Sequence, residues 1–164
     1  MRHMGLVDLE ILMFALRRKF LFPTLGLALS ALATLSAISK PPINAGRDGL
    51  AVKGHDVVAY TMGAATKGDP RFEHRWNGAV FWFASAANRD RFAGAPEKYV
   101  PQFGGYCAYA VSRGYTADID PQAFRIVDGK LYLNYSKRVQ KLWERDIPGN
   151  IAKGQANWPA VLDK

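Results

Sequence analysis

Read as a pattern of apolar and polar positions, the chain carries near its start one uncharged, apolar and small-residue-rich stretch, Phe20 to Ile38, and continues in short alternating or helically spaced segments. The clearest of these is Phe72-Glu73-His74-Arg75-Trp76, then Asn77-Gly78, then Ala79-Val80-Phe81-Trp82-Phe83. Asn-Gly supplies the two positive-φ residues of a type I′ turn, which predicts a hairpin with Trp76 opposite Ala79 and His74 opposite Phe81. Phe72, His74, Trp76, Ala79, Phe81 and Phe83 then share one largely aromatic face, with Glu73, Arg75, Val80 and Trp82 on the other. A second hairpin, Phe124–Val127 with Lys130–Leu133, is expected around Asp128-Gly129.

Helices follow the same logic. Ser85 is placed to cap a helix over about Ala86–Ala93 with Phe92 turned inward, and Ser136 to cap one reaching about Asp146 through Val139, Leu142 and Trp143. Gly104-Gly105 leads into a short helix, Tyr106–Val111, with Cys107 in its first turn. A last short helix is expected to start at Asn150, and Leu50-Ala51-Val52 reads as a short strand. Pro41 to Gly46 reads as a linker, and Gly54-His55-Asp56 as a turn into the apolar Val57–Tyr60. No internal repeat is apparent. The sum is one α+β domain over 46–164, two hairpins packed on short helices, behind an N-terminal extension over 1–45.

Composition sharpens the first forty-five residues. Arg17-Arg18-Lys19 ahead of Phe20–Ile38 has the grammar of an export signal, and Arg17 to Leu21 fits the R-R-x-F-L core of a twin-arginine leader. Twin-arginine and ordinary secretory export both remain open, as does a retained anchor of about one bilayer-spanning length. Cleavage sites are available after Ala33 or nearer Ala37 or Ala45. Asp8 and Glu10 are unusual in such a leader, which makes Met13 a candidate start. The net charge of +8 falls to +5 over 46–164, where seventeen basic residues meet twelve acidic ones with no run of three cations. That gives no nucleic-acid stripe. The expected location is the periplasm, with membrane contact only through the leader.

The run Trp76-Asn77-Gly78-x-x-Phe81-x-Phe83-x-Ser85, then Phe92 and Pro96-Glu97-Lys98-Tyr99, resembles the YHS domain. With Gly54–Tyr60 in front and Gly104–Val111 behind, the chain is similar to the exported bacterial YHS-domain (seleno)protein family over about 48–160. Metal-handling YHS domains carry an F-C-S-x-x-C pair, where this chain has Phe83-Ala84-Ser85-Ala86-Ala87-Asn88, so that thiolate pair is not carried over. In the exported family the position matching Cys107 is selenocysteine in some members. The resemblance therefore implies a working thiolate there, in thiol redox chemistry or in capture of a soft metal or metalloid such as copper.

Cys107 is the one cysteine of the sequence, which excludes an internal disulfide or a dithiol cycle and calls for an external thiol reductant or a metal ion as partner. Tyr106 flanks it and is expected to share in its chemistry, lining the pocket or donating a hydrogen bond to the thiolate. His55 is the candidate second ligand, or the cation that lowers the thiol's pKa. His74, on the aromatic face, reads as a core or rim residue. Asp118 and Asp120 read as loop or cap residues. No G-x-S-x-G, H-E-x-x-H or P-loop is present. The competing reading is a non-catalytic binding module that uses the aromatic hairpin face, with Cys107 merely packed.

Overall fold

The computed structural model describes residues 39–164; the expected leader, the expected cleavage sites near Ala33 and Ala37 and the candidate start at Met13 lie outside the described residues. The Asn-Gly turn forms with Asn77 at φ 45° and Gly78 at φ 81°. It joins β1 (Asp69–Trp76) to β2 (Ala79–Phe83) in the expected register, Trp76 opposite Ala79 and His74 opposite Phe81. Asp128-Gly129 does the same for β3 (Asp120–Val127) and β4 (Lys130–Asn134). Both first strands run longer than the alternation suggested, because each starts at an Asp-Pro step followed by a register shift.

After each hairpin a serine turns the chain into a helix. Ser85 accepts the N–H of Asn88 to open α1 (Ala86–Gly94), and the short α2 (Pro96–Tyr99) follows. Five residues form α3 (Ala108–Ser112). Ser136 accepts the N–H of Val139 to open α4 (Lys137–Trp143), and Asp146, rather than the expected Asn150, caps α5 (Ile147–Asn157). Asn150 is buried inside α5, where its amide donates to the Trp143 carbonyl at 2.8 Å. The fold is thus mixed α+β, two antiparallel hairpins packed against short helices. Among the described residues no helix is long and apolar enough to cross a membrane.

Two segments depart from the sequence reading. Leu50 makes a single bridge to Val80, after which Val52, Lys53 and Gly54 turn left-handed, so no strand forms there. Pro41 to Gly46 is packed rather than loose: Ile43 and Ala45 are buried, and the Asn44 N–H donates to the Gly104 carbonyl at 2.8 Å. A Cβ on Gly104 would fall 1.9 Å from the Pro42 carbonyl oxygen, so only glycine admits this approach.

The expectation of no internal repeat is wrong. Shifting the numbering by 51 superposes 51–94 on 102–145 element by element, without a gap. Each half begins with three left-handed residues, Val52-Lys53-Gly54 and Phe103-Gly104-Gly105, and its first short helical segment stops at Gly63 (φ 84°) or Gly114 (φ 85°). The matching extends to single bonds. Asp56 N–H donates to Thr66 O at 2.9 Å and Cys107 N–H to Ala117 O at 3.0 Å; the Thr61 hydroxyl donates to Val58 O at 2.7 Å and the Ser112 hydroxyl to Tyr109 O at 2.8 Å. Arg71 and Gln122 each donate a backbone N–H to the aspartate that starts their strand. Phe92 packs on Phe81 with ring centroids 4.8 Å apart, as Trp143 does on Tyr132 at 5.2 Å.

The first core gathers Val57, Tyr60, Phe81, Phe83 and Phe92 with Cys107, Leu131 and Leu133 from the second half. Full burial of each large side chain contributes about 1.5–3 kcal/mol. A second core, with Phe103, Tyr106, Tyr132 and Trp143, is closed by the C-terminal Val161 and Leu162.

Asp56 ties the first half together. It has no exposed surface, and its Oδ1 accepts the N–H groups of Val58 (2.8 Å) and Ala59 (3.2 Å) while Oδ2 accepts those of Ala84 (2.9 Å) and the Asn88 side chain (2.7 Å). Asp56→Ala strands these buried donors and is expected to cost about 3 kcal/mol or more in urea denaturation, against about 1 kcal/mol for Asp120→Ala at a partly exposed turn.

Candidate functional site

Cys107 stands at the position of the second half that Asp56 holds in the first. It is the N-cap residue of α3 and is 1% exposed, rather than lying within the first helical turn. The Tyr135 backbone N–H donates to its Sγ at 3.3 Å, and the N–H groups of Tyr109 and Ala110 also favour the sulfur anion. Those three residues are the 51-residue counterparts of Ala84, Val58 and Ala59, the backbone donors to the Asp56 carboxylate. Of the three backbone bonds made to Asp56, the one from Ala84 recurs at the sulfur as that from Tyr135, while the Tyr109 N–H turns to Asn134.

Beyond those shared donors the halves differ. The Asn88 amide that serves Asp56 is replaced by Val139, and buried Phe83 is replaced by buried Asn134. Asn134 Oδ1 accepts the Tyr109 N–H at 3.2 Å and lies 3.8 Å from Cys107 Sγ, in line to accept the thiol proton. Because a backbone N–H can only donate, this fixes which end of the Asn134 amide is oxygen. Its Nδ2 is buried without a hydrogen-bond partner.

Burial pushes the Cys107 thiol pKa up, and the N–H groups of Ala110, Tyr135 and Tyr109 pull it part of the way back. No charged side chain contributes. The sulfur is therefore a protonated thiol at neutral pH in the closed fold, poised among donors that stabilise its anion once it forms.

The other expected site residues are not brought to the sulfur. Tyr106 is buried in the second core, its ring 6.2 Å from that of Trp158, and its hydroxyl donates to the Pro41 carbonyl at 2.9 Å; it clamps the N-terminal segment. His55 is half-buried with Nδ1 3.2 Å from the Val52 carbonyl. Its pKa is lowered, chiefly by burial and then by Lys67, which makes it a neutral imidazole at pH 7 and not a cation for the thiol. His74 stands edge-on to Phe92 at 5.7 Å, as a rim residue. Asp118 pairs with Lys53 at 2.8 Å, and Asp120 starts β3. Among the described residues no three His, Cys, Asp or Glu side chains are grouped to hold a metal ion.

The aromatic hairpin face is spent on the core: Ala79, Phe81 and Phe83 are buried beneath Phe92, leaving only Phe72, His74 and Trp76 partly exposed. Ala84 and Asn88 both serve Asp56. Two clefts open elsewhere. One of about 430 Å³ lies between Trp76, Phe103 and Trp158, the other, of about 260 Å³, between Asp48, Lys53, Lys67 and Asp118; Cys107 lines neither. No protein-family model, curated protein or solved structure matches the chain.

Sequence reasoning passed over Asp56, Asn134 and Tyr135. The signal that finds them is the 51-residue shift, which pairs Asp56 with Cys107 and Ala84 with Tyr135.

The raised thiol pKa sets a pH dependence. The unfolded chain gives up the thiol proton near pH 8.5, while the folded chain keeps it. Stability from this group is complete below that pH and is lost as pH rises towards the folded value. Tyr60, Tyr106 and Tyr132 are raised as well, from a higher starting value. Melting curves between about pH 7.5 and 9.5 should therefore fall more steeply for the wild type than for Cys107→Ala, the window staying below ordinary tyrosine ionisation near 10.

Proposed function

We propose that the chain is an exported, periplasmic YHS-type domain in which Cys107 carries out thiol redox chemistry with an external thiol. The observation that carries this reading is the position: Cys107 stands where Asp56 stands in the first half, and the Tyr135 N–H, counterpart of the Ala84 N–H that serves Asp56, donates to its sulfur at 3.3 Å. A main-chain N–H aimed at the sulfur favours its anion, since a thiol is itself only a weak acceptor. The family resemblance, with selenocysteine at this position in some members, points to the same atom.

Exchange follows from this arrangement. Once a local opening admits a low-molecular-weight disulfide, the sulfur loses its proton to solvent and its thiolate attacks the disulfide. A mixed disulfide forms, one thiolate leaves and takes up a proton, and a second external thiol restores Cys107. With no second cysteine in the sequence, resolution from outside is obligatory. Soft-metal capture is the less supported branch, since neither His55 nor a third donor meets the sulfur.

Incubation of the folded protein with glutathione disulfide, read by intact mass, tests the proposal. One adduct on Cys107 that dithiothreitol removes is expected, and none on Cys107→Ser. A wild-type protein that forms no adduct while folded, yet reacts fully once unfolded, would return the thiol to a packing role.

A further inference from the structure

The left-handed turns that open the two halves each line a cleft, and the two clefts differ in kind. Val52 and Lys53 line the smaller, together with Asp48, Lys67 and Asp118, so that two cations and two anions meet there. Phe103 and Gly104 stand 51 residues further on and line the larger. Glycine in the place of Lys53 removes a charged side chain, and phenylalanine in the place of Val52 adds a ring. None of the described residues that line this cleft of about 430 Å³ is charged. Its volume lies within the range of about 300–1,000 Å³ common to small-molecule sites.

Two kinds of side chain give the larger cleft its chemistry. Trp76 and Trp158 are partly exposed, and each ring is held by neighbours: Trp76 stands edge-on to Phe92 at 6.3 Å, and Trp158 leans on Phe103 at 6.1 Å and on Tyr106 at 6.2 Å. Asn77, Gln102 and Gln155 add amides. None of these three side chains hydrogen-bonds to another described residue, unlike the buried Gln140, which donates to the Phe124 carbonyl at 2.8 Å. An amide offers a donor and an acceptor side by side. The matching ligand is uncharged, carries hydroxyl groups that both donate and accept, and presents a flat C–H face to an indole ring, whose electron-rich face attracts such hydrogens. A charged ligand would give up hydration with no counter-ion at hand. A proline-rich segment, the other usual guest of aromatic grooves, has no N–H at its prolines and leaves the amide oxygens unmatched.

We infer that this cleft binds a short neutral oligosaccharide built of flat pyranose rings, of the glucose or N-acetylglucosamine type. An indole stacks on a ring face, and the amides of Gln102 and Gln155 take its hydroxyls. Because the aromatic rings are already held in place by the second core and by Phe92, little ordering is left to be done on binding. Cys107 lines neither cleft, so sugar binding is a function separate from the thiol and independent of its reactivity.

Titration of the full chain with cellotriose and with tri-N-acetylchitotriose, followed by tryptophan fluorescence and by calorimetry, tests the inference. Saturable binding of at least one trisaccharide at a single site is expected. The glucosamine trimer, with the same ring skeleton but protonated amines, should bind at least about tenfold more weakly than the better of the two. Trp158→Ala should lose binding. The double variant Gln102→Ala/Gln155→Ala, at positions outside the core, should keep its melting temperature and bind about tenfold more weakly, which holds the test open if Trp158→Ala fails to fold. No saturable binding of either trisaccharide up to millimolar concentrations overturns the inference. So does sugar binding that the double amide variant retains in full, and so does a wild type that binds decaproline and neither sugar, which would make the cleft a peptide groove.

Discussion

Each half of this molecule takes one polar side chain out of water at the start of its first short helical segment, and the rest of the half is arranged to satisfy it. At Asp56 the cost of burying a carboxylate is offset by four hydrogen bonds, drawn from the following turn, the end of β2 and a side chain of α1. Those bonds set the angle at which the turn, the hairpin and the helix meet. The left-handed three-residue turn ahead of it delivers the chain to that point, and the aromatic face of the hairpin closes over Phe92 behind it. The second half repeats the construction around Cys107, with Trp143 in the place of Phe92.

Duplication also accounts for the asymmetry that matters chemically. Where the first half holds a carboxylate with four donors, Asn88 among them, the second holds a thiol with one main-chain donor, beside an amide that is not fully used. The two cores divide accordingly. The first half and the Cys107 face of the second share one core, while the other face of the second is covered by α5 and the C-terminal residues. The thiol is shielded from both sides. Its chemistry therefore depends on opening, a dynamic property superimposed on a fixed set of donors.

Much of the fold was legible in sequence because its determinants are local. Asn77-Gly78 and Asp128-Gly129 set both hairpin registers, and Ser85 and Ser136 announced both helices. The repeat was not legible, because over 51–94 and 102–145 the halves coincide only at Gly54/Gly105, Ala59/Ala110, Gly63/Gly114, Asp69/Asp120, Pro70/Pro121, Gly78/Gly129 and Ser85/Ser136. These are turn and cap residues, kept for backbone geometry, while the core positions between them changed in size and type. At the site, Cys107 stood out as a lone thiol with a family resemblance behind it. Its neighbours did not, since Tyr135 contributes a main-chain N–H and Asn134 lies 27 residues away at the end of β4. Tyr106 and His55 were adjacent by sequence or by analogy of chemistry, and the fold sends one to Pro41 and the other to the Val52 carbonyl.

Whether the buried thiol is reached by a local opening of the native fold or only by unfolding is the point on which the functional account turns. Native-state alkylation of Cys107 across sub-denaturing urea concentrations measures it directly. The account predicts a labelling rate that is nearly independent of urea at low concentrations, the mark of an opening that exposes little surface. A rate that rises from zero urea with the full urea dependence of global unfolding would contradict it and make Cys107 a residue of the core alone.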